Sequence, residues 1–138
     1  MSHSKITSQQ VSDKHRIMHT ANLFGIHFPL NIEPAIYSIA SNIATEYNGA
    51  YWEFYAFSNG GFYMAPCSNK PYKVSCENGY EGKLSGDELG ITACLCAYSN
   101  LSFSSNQAFA GICANHYHWL RGYVLEHKEV SAILSAID

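Results

Sequence analysis

The sequence lacks any long hydrophobic run, and it has few charged residues. None of its apolar stretches approaches the roughly 18 residues that a membrane-spanning helix requires, so we expect no membrane association. The N-terminal segment has no apolar signal-peptide core, which indicates a cytoplasmic protein. Charged residues make up 14% of the 138 residues, compared with about 25% in typical domains. This low fraction favours a surface for self-association, as in a homodimer, or for another partner.

Positive charge is scarce as well. The chain has 8 lysines and arginines and 11 aspartates and glutamates, which gives a net charge of −3. Proteins that bind the phosphate backbone depend on a basic excess, so direct binding of duplex DNA is not expected. An acidic mimic of DNA is disfavoured for the opposite reason, because about ten base pairs carry roughly twenty negative charges.

The short motifs that mark common metal, nucleotide and catalytic sites are also missing, among them C-x-x-C, H-E-x-x-H and G-x-G-x-x-G. His116 and His118 fall in a segment of helical periodicity, where residues two apart point in nearly opposite directions and cannot share an ion. No sequence feature places a base and an oxyanion hole beside Cys67 or Cys113, as a cysteine nucleophile requires. The sequence therefore predicts no catalytic residue, no cofactor and no metal site, and hence no enzyme.

Hydrophobic residues make up 47% of the chain, which is enough for one core. We therefore expect a single domain over residues 1–138, with a loose, polar N-terminus over residues 1–12. Apolar residues recur every three or four positions after Asn31, which predicts a helix over residues 33–47. Ser85 and Glu88 have the spacing of a capping box, which predicts the start of another helix. Similar periodicity predicts two further helices toward the C-terminus.

Antiparallel strands are predicted between the helices. Aromatic and apolar residues fall on both sides of the segment YWEFYAF, which suits a strand covered on both faces. Asn59-Gly60-Gly61 and Asn78-Gly79 supply the turn residues of two hairpins. We predict strands near residues 50–58, 62–66, 72–76 and 80–84, forming one small antiparallel sheet of three or four strands. With surrounding helices packed on this sheet, the fold class is α+β.

The aromatic run from Tyr51 to Phe57 leaves two interpretations open. The first is core packing, and for the fold as a whole we expect a set of largely buried side chains: Trp52, Phe54, Phe62, Ile91, Leu95, Trp119 and Leu120. The second is a platform on which bases stack, which would make the chain a binding module for single-stranded nucleic acid or nucleoprotein. Because lysine and arginine are not interleaved with the aromatic residues, core packing is favoured.

Four segments stand out by their length and unusual composition. They are YNGAYWEFY (47–55), SNGGFYMAP (58–66), LSGDELGITACL (84–95) and the stretch from HYHWLRGYVLEHKE (116–129) to the final AID. Together they resemble the ArdB/KlcA family of antirestriction proteins, which plasmids and other mobile elements carry. The resemblance runs in register from Phe24 to Asp138. The polar first dozen residues and the cysteine-rich helix depart from the family pattern.

This resemblance implies a small non-enzymatic α+β protein that protects incoming plasmid or phage DNA from type I restriction-modification systems. Its partner would be the type I restriction-modification complex or a host factor linked to it. The family provides no catalytic residues that can be transferred to this chain. Most motif residues have a structural interpretation instead, with Asn59 and its glycines in a turn and Trp52 in the sheet core.

Without chemistry in a pocket, function has to lie on a surface. Asp138 would place negative charge at the negative end of the last helix, where it does not favour folding. Glu46 and Glu53 flank the YNGAYW segment, and Glu126 and Glu129 lie near the last turn. We therefore predict that these five acids form one partner-binding face for a basic patch on the restriction complex. The alternative is that they are ordinary solvated side chains.

Overall fold

A computed structural model describes residues 5–138, in which five α-helices surround two small antiparallel sheets. The elements in chain order are β1 (Ser8–Val11), α1 (Arg16–Phe24), α2 (Glu33–Ile43), β2 (Trp52–Phe57), β3 (Phe62–Pro66), β4 (Tyr72–Ser75), β5 (Glu81–Leu84), α3 (Gly86–Leu101), α4 (Gln107–Val124) and α5 (Val130–Ile137). A 3-10 turn (Asp13–His15) precedes α1, and a π-helical turn (Phe28–Ile32) precedes α2. The α+β class is confirmed. The strands form two sheets, however, with three strands in one and two in the other.

Strand β1 is an outer strand of the three-stranded sheet, whose order is β1-β2-β3. It pairs antiparallel with β2, with Ser8 opposite Phe57 and Val11 opposite Phe54. The expectation of a loose N-terminus is therefore wrong for residues 8–11, while residues 1–4 lie outside the described part. Three of the four side chains of β1 are exposed, so the strand is held mainly by backbone pairing. Such a strand leaves no alternating apolar pattern in the sequence.

Helix α3 lies along the free edge of β3. Its positions 86, 90, 94 and 98 recur every four residues and therefore share one side of the helix. Gly86 and Gly90 bring the helix backbone close to the strand, and a Cβ at Gly90 would lie 2.4 Å from the Met64 carbonyl oxygen. No larger residue fits there unless the strand or the helix moves.

Two side chains of α3 satisfy the edge carbonyls of β3. The Tyr98 hydroxyl donates to the Phe62 carbonyl at 2.8 Å, and the Cys94 thiol donates to the Met64 carbonyl at 3.5 Å. Pro66 has no N–H to leave unpaired at this edge. Because α3 occupies the edge, β4 and β5 do not extend the sheet and form a separate one.

The two-stranded sheet also explains where α2 ends. Ala44 forms a β-bridge with Val74, and the Thr45 N–H donates to the Lys73 carbonyl at 3.2 Å. Ala44 is therefore extended, with φ −100 and ψ 105, and the helix stops at Ile43 instead of continuing to residue 47. The apolar periodicity of residues 44–47 belongs to packing against this sheet and is not helical.

The local signals in the sequence are confirmed. The Ser85 hydroxyl accepts from the Glu88 N–H at 3.1 Å, and the Glu88 carboxylate accepts from the Ser85 N–H at 2.8 Å, which completes the capping box. Both hairpin turns form, with positive φ at Gly60 and Gly79. None of the helices within residues 5–138 has both the length and the apolar character needed to cross a bilayer.

Burial follows the prediction. Trp52, Phe54, Phe62, Ile91, Leu95 and Leu120 are buried. Trp119 is partly buried and is more exposed than these six side chains. Its indole ring lies over the turn between β2 and β3, about 3.9 Å from the position that a Cβ on Gly60 would take, and Asn59 donates to the Trp119 carbonyl at 3.1 Å. Trp119 thus covers the end of the sheet and not its centre.

Candidate functional site

A cavity of about 740 Å³ opens between α1, the π-helical turn, α2 and the start of β2. We name it the Arg16 groove, after the cation in its wall. The residues that decide its character are Arg16, Ile17, Ile26, Glu33, Tyr51 and Trp52. Its volume lies within the roughly 300–1,000 Å³ typical of ligand sites.

Arg16 is largely buried, with 17% of its side chain exposed. Its guanidinium carbon lies 4.4 Å from the centre of the Phe54 ring and 4.9 Å from that of Tyr51. Nε is 3.2 Å from an oxygen of Asp13, and Nη2 is 3.5 Å from an oxygen of Glu53. Neither pair is aligned as a hydrogen bond, so both nitrogens lack a hydrogen-bond partner within the described residues. Charge and ring stacking therefore hold Arg16, and it keeps unused donors beside the groove.

The opposite wall carries an acid and aromatic side chains. Burial raises the pKa of Glu33, and a hydrogen bond with Tyr37 opposes this rise. Burial, followed by the charge of Glu33, raises the pKa of Tyr37 to about 12. Trp52 packs edge-on against Tyr37 with ring centres 5.1 Å apart, and its indole N–H donates to the Tyr47 hydroxyl at 2.9 Å. A hydrogen bond and a ring contact therefore hold the Trp52 indole in this wall.

The rim of the groove is apolar and open to solvent. Ile17 is 85% exposed, Ile26 67% and Tyr51 53%. Single exposed apolar side chains are normal on a protein surface, but a cluster around one concave site marks a binding surface. The groove thus combines an apolar rim with a buried cation and nearby carboxylates, an arrangement suited to binding.

A second polar cluster joins three of the distinctive segments. The Tyr63 hydroxyl donates to Asp87 at 2.6 Å, and His127 Nε2 lies 3.1 Å from the other oxygen of Asp87. Since His127 Nδ1 accepts from the Glu129 N–H at 3.0 Å, Nε2 carries the proton and donates to Asp87. Both ring nitrogens are therefore engaged, and neither is free to transfer a proton. Burial, followed by the charge of Asp87, raises the pKa of Tyr63 well above its usual value.

The five predicted acids lie in different surroundings. Glu46, Glu126, Glu129 and Asp138 are exposed, whereas Glu53 is half-buried beside Arg16 and accepts a hydrogen bond from Gln10. Glu126 accepts from the Ile6 N–H at 3.3 Å. The contacts place only Glu53 beside the Arg16 groove. That the five acids form one partner-binding face stays a prediction.

The aromatic segment does not form a stacking platform. Trp52, Phe54, Phe57, Phe62 and Tyr63 are buried, and rings of α1, α4 and the π-helical turn cover them. Phe28, for example, lies 5.7 Å from both Phe54 and Phe62. The single-strand binding alternative, which needs an exposed aromatic face, therefore loses its structural basis.

Helix α1, and with it Arg16, was not predicted from the sequence. A signal for this helix was present, because six buried residues recur at intervals of four through α1, the π-helical turn and α2: Thr20, Phe24, Phe28, Ile32, Ile36 and Ala40. The role of Arg16 carries no such local signal, because its partner Glu53 lies far along the chain. No group of three or more His, Cys, Asp or Glu within residues 5–138 is arranged to hold a metal ion.

Comparison with known proteins identifies the family. A family model described as antirestriction protein matches residues 45–138. The antirestriction protein KlcA of Escherichia coli is 34% identical over 135 residues, which cover 96% of this chain and 95% of KlcA. The chain belongs to the antirestriction protein family. The uncharacterized protein YfjX of Escherichia coli K12 is also 34% identical, over 97% of this chain and 89% of YfjX.

The fold agrees with the same branch of that family. A solved structure from work on KlcA and ArdB has a TM-score of 0.90 and 34% identity, and the match covers 100% of both chains. KlcA and ArdB are described there as having a novel fold and antirestriction activity against type I DNA restriction systems in vivo but not in vitro. The resemblance to the ArdB/KlcA family is therefore confirmed in both sequence and structure.

Proposed function

We propose that this protein protects incoming plasmid or phage DNA from type I restriction-modification systems of the recipient cell. The observation that supports this most strongly is the full-length similarity to the KlcA and ArdB structure. Activity that is present in vivo but absent in vitro, as described for those relatives, is typical of a protein that needs a further cellular component. We infer that this chain acts in the cytoplasm on the restriction complex or on a host factor linked to it.

The mode of action we propose is binding without catalysis and without imitation of DNA. The net charge of −3 is far from the roughly twenty negative charges of about ten base pairs. One predicted acid, Glu53, is also occupied by Arg16 and Gln10 and is not displayed as a phosphate substitute would be. These features favour recognition of a protein surface.

The Arg16 groove is the surface we assign to that recognition. An apolar side chain of the partner would enter between Ile17 and Ile26, where burial removes exposed apolar area from water. The nearby acids, Asp13, Glu33 and Glu53, favour basic residues beside that apolar anchor. Separately from the groove, the exposed acids Glu46 and Glu129 would contribute to recognition of basic residues on the partner.

The proposal is tested by challenging cells with unmodified phage. Cells that hold a type I system and express this gene should be plated more efficiently by the phage than the same cells without the gene. Cells that lack the restriction system serve as the control and should show no difference. Equal plating on restricting cells with and without the gene, at verified expression of the protein, would contradict the proposal.

The predicted acidic face is tested in the same assay. Glu46→Gln combined with Glu129→Gln, and separately deletion of Asp138, should reduce protection while leaving the melting temperature nearly unchanged. Glu53→Gln is kept apart, because it also removes the ion pair with Arg16. Full protection by the double variant and by the deletion would leave these acids as ordinary solvated side chains.

A further inference from the structure

The two outer edges of the three-stranded sheet differ in what lies against them. Helix α3 covers the edge of β3, where its side chains bond to the strand carbonyls. On the other side, β1 pairs with β2 alone, and no further strand within residues 5–138 pairs with it. Ser8, Gln9 and Gln10 are all exposed, although neighbouring side chains of a strand point to opposite faces. Among the described residues, this outer side of β1 is therefore open, and we name it the β1 edge.

The hydrogen bonds between β1 and β2 show which backbone groups point outward. The Thr7 carbonyl accepts from the Ser58 N–H at 2.9 Å, so Thr7 faces β2. Backbone groups of an antiparallel strand alternate between its two sides, and Gln9 therefore faces β2 as well. Ser8 and Gln10 face away from the sheet, and neither has another backbone partner within residues 5–138. The β1 edge thus presents the N–H and the carbonyl of both residues.

The β1 edge lacks the features that commonly keep an exposed strand from pairing, such as a proline, a charged side chain or a β-bulge. The strand has the sequence SQQV. Its pairing with β2 runs in one continuous register, without an inserted residue. An extended chain that adds one more strand is the ligand such an edge accepts.

We propose that the β1 edge pairs antiparallel with the β1 edge of a second copy of this chain, in a two-fold symmetric dimer. In the register centred on Gln9, Ser8 of each copy lies opposite Gln10 of the other. Every outward N–H and carbonyl of these residues then has a partner, which no other register achieves. The two Gln9 side chains meet at the two-fold axis, where each amide offers both a donor and an acceptor. The two sheets thereby become one continuous sheet.

Charge favours the antiparallel arrangement over the parallel one. Lys5 precedes β1 and Asp13 follows it, at equal distances along the chain from Gln9. Lys5 is exposed, and 77% of the Asp13 side chain is exposed. Because antiparallel strands run in opposite directions, Lys5 of one copy lies at the same end of the interface as Asp13 of the other. A parallel pair would instead bring like charges together.

Sedimentation velocity of the full chain tests the proposal. The contact is only one strand wide, so we expect a reversible dimer that forms as the concentration is raised from micromolar to millimolar. The test does not depend on the antirestriction activity, because the readout is the mass of the protein in solution.

A matched pair of variants at Ser8 locates the contact. Ser8→Pro removes an outward N–H in each copy and spares the bonds from β1 to β2, so it should weaken the dimer at least about tenfold. Ser8→Ala keeps the N–H and should leave the association unchanged. Slow hydrogen exchange of the Gln9 N–H, which faces β2, would show that β1 is still paired within each copy.

A charge exchange at Gln9 tests the register. Gln9→Lys and Gln9→Glu should each weaken self-association about fivefold, because like charges would then lie directly opposite each other at the two-fold axis. An equimolar mixture of the two variants should associate more strongly than either alone. Gln107→Lys, at an exposed position of α4, is the control for net charge and should associate like the unaltered protein.

Three results would overturn the proposal. A chain that stays monomeric at millimolar concentration would leave the edge to an extended segment of another protein. Association that Ile17→Ser abolishes and the Ser8 and Gln9 variants do not change would place the contact at the rim of the Arg16 groove. A mixture of the two Gln9 variants that associates no better than each alone would exclude the two-fold register.

Discussion

Two regions border the three-stranded sheet: the contact between β3 and α3, and the Arg16 groove. They differ in whether their buried polar groups have hydrogen-bond partners. Along β3, the edge carbonyls accept from Tyr98 and Cys94, and Gly90 leaves no free volume. In the groove, two buried nitrogens of Arg16 have no aligned acceptor, and exposed Ile17 stands beside about 740 Å³ of open space. The first region is explained by folding alone. The second retains groups that folding does not use, which is the mark of a binding surface.

The largest expected effect is at the packed contact. Gly90→Ala should lower the free energy of unfolding by about 3 kcal/mol, because its Cβ would lie 2.4 Å from Ala65 and from the Met64 carbonyl oxygen. Gly111→Ala is the matched control in α4, where nothing lies within 4 Å, and it should stabilise the protein by up to about 1 kcal/mol. Urea unfolding measures both. Equal effects of the two substitutions would show that the contact is loose.

His116 is buried in the core, so it tests whether the core tolerates a positive charge, as the groove tolerates the charge of Arg16. Burial, aided by His19, lowers the pKa of His116 from 6.5 to about 4. The unfolded chain therefore binds a proton more readily than the folded one between these values, so stability is complete above pH 6.5 and decreases as the pH is lowered. The loss from this residue should reach about 2 kcal/mol at pH 5.

The measurement is the pH dependence of urea unfolding between pH 7 and 5. His116→Phe should reduce the slope, because the ring lies among Phe24, Tyr98 and Trp119 and an apolar ring there cannot take up a proton. His118→Gln, at an exposed position of the same helix, should keep the slope of the unaltered protein. A slope that His116→Phe does not change would show that His116 is not responsible.

A smaller effect is expected at the start of α3. Asp87→Asn keeps the shape of the side chain but removes the negative charge that accepts from both Tyr63 and His127. It should cost about 1–2 kcal/mol, through weaker hydrogen bonds and a less favourable helix N-terminus. Thermal unfolding at neutral pH measures this change. Glu81→Gln, at an exposed position of β5, is the control and should be nearly neutral.

The smallest effect on stability, and the largest on activity, is expected in the groove. Ile17→Ser should change the free energy of unfolding by less than about 0.5 kcal/mol, because the side chain is 85% exposed. It should nevertheless reduce protection against a type I system in the plating assay. Phe103→Ser is the matched control, since Phe103 is equally exposed at 85% but lies outside the groove. If both variants protect as well as the unaltered protein, the groove is not the partner surface.

What could be predicted from the sequence depended on how far apart the interacting residues lie. The capping box of Ser85 and Glu88 and both hairpins were predicted correctly, because each is decided within a few residues. The division into two sheets was not predicted, because it depends on a contact between distant residues. Helix α3 occupies the edge of β3, and the Tyr98 hydroxyl that bonds to the Phe62 carbonyl is 36 residues away in the chain.

The candidate site followed the same rule. That the five acids form a partner-binding face stays a prediction, and the pairing of Glu53 with Arg16 was not predicted, because it joins two distant segments and carries no local signal. No pattern in the sequence predicts that the rim residues Ile17 and Ile26 are exposed. Their exposure is a consequence of how α1 packs, and only the folded arrangement reveals it.

The placement of α3 along β3 also has a consequence for synthesis of the protein on the ribosome. Strand β3 is made before α3, and elongation at about 5–20 residues per second leaves a delay of a few seconds before Leu101 is added. During that delay the edge carbonyls of Phe62 and Met64 lack their final partners, and the nascent sheet can pair with a strand of another chain. Slow translation between residues 66 and 101 would prolong this exposure, so the yield of soluble protein should depend on codon usage in that interval more than in the stretch that encodes α4 and α5.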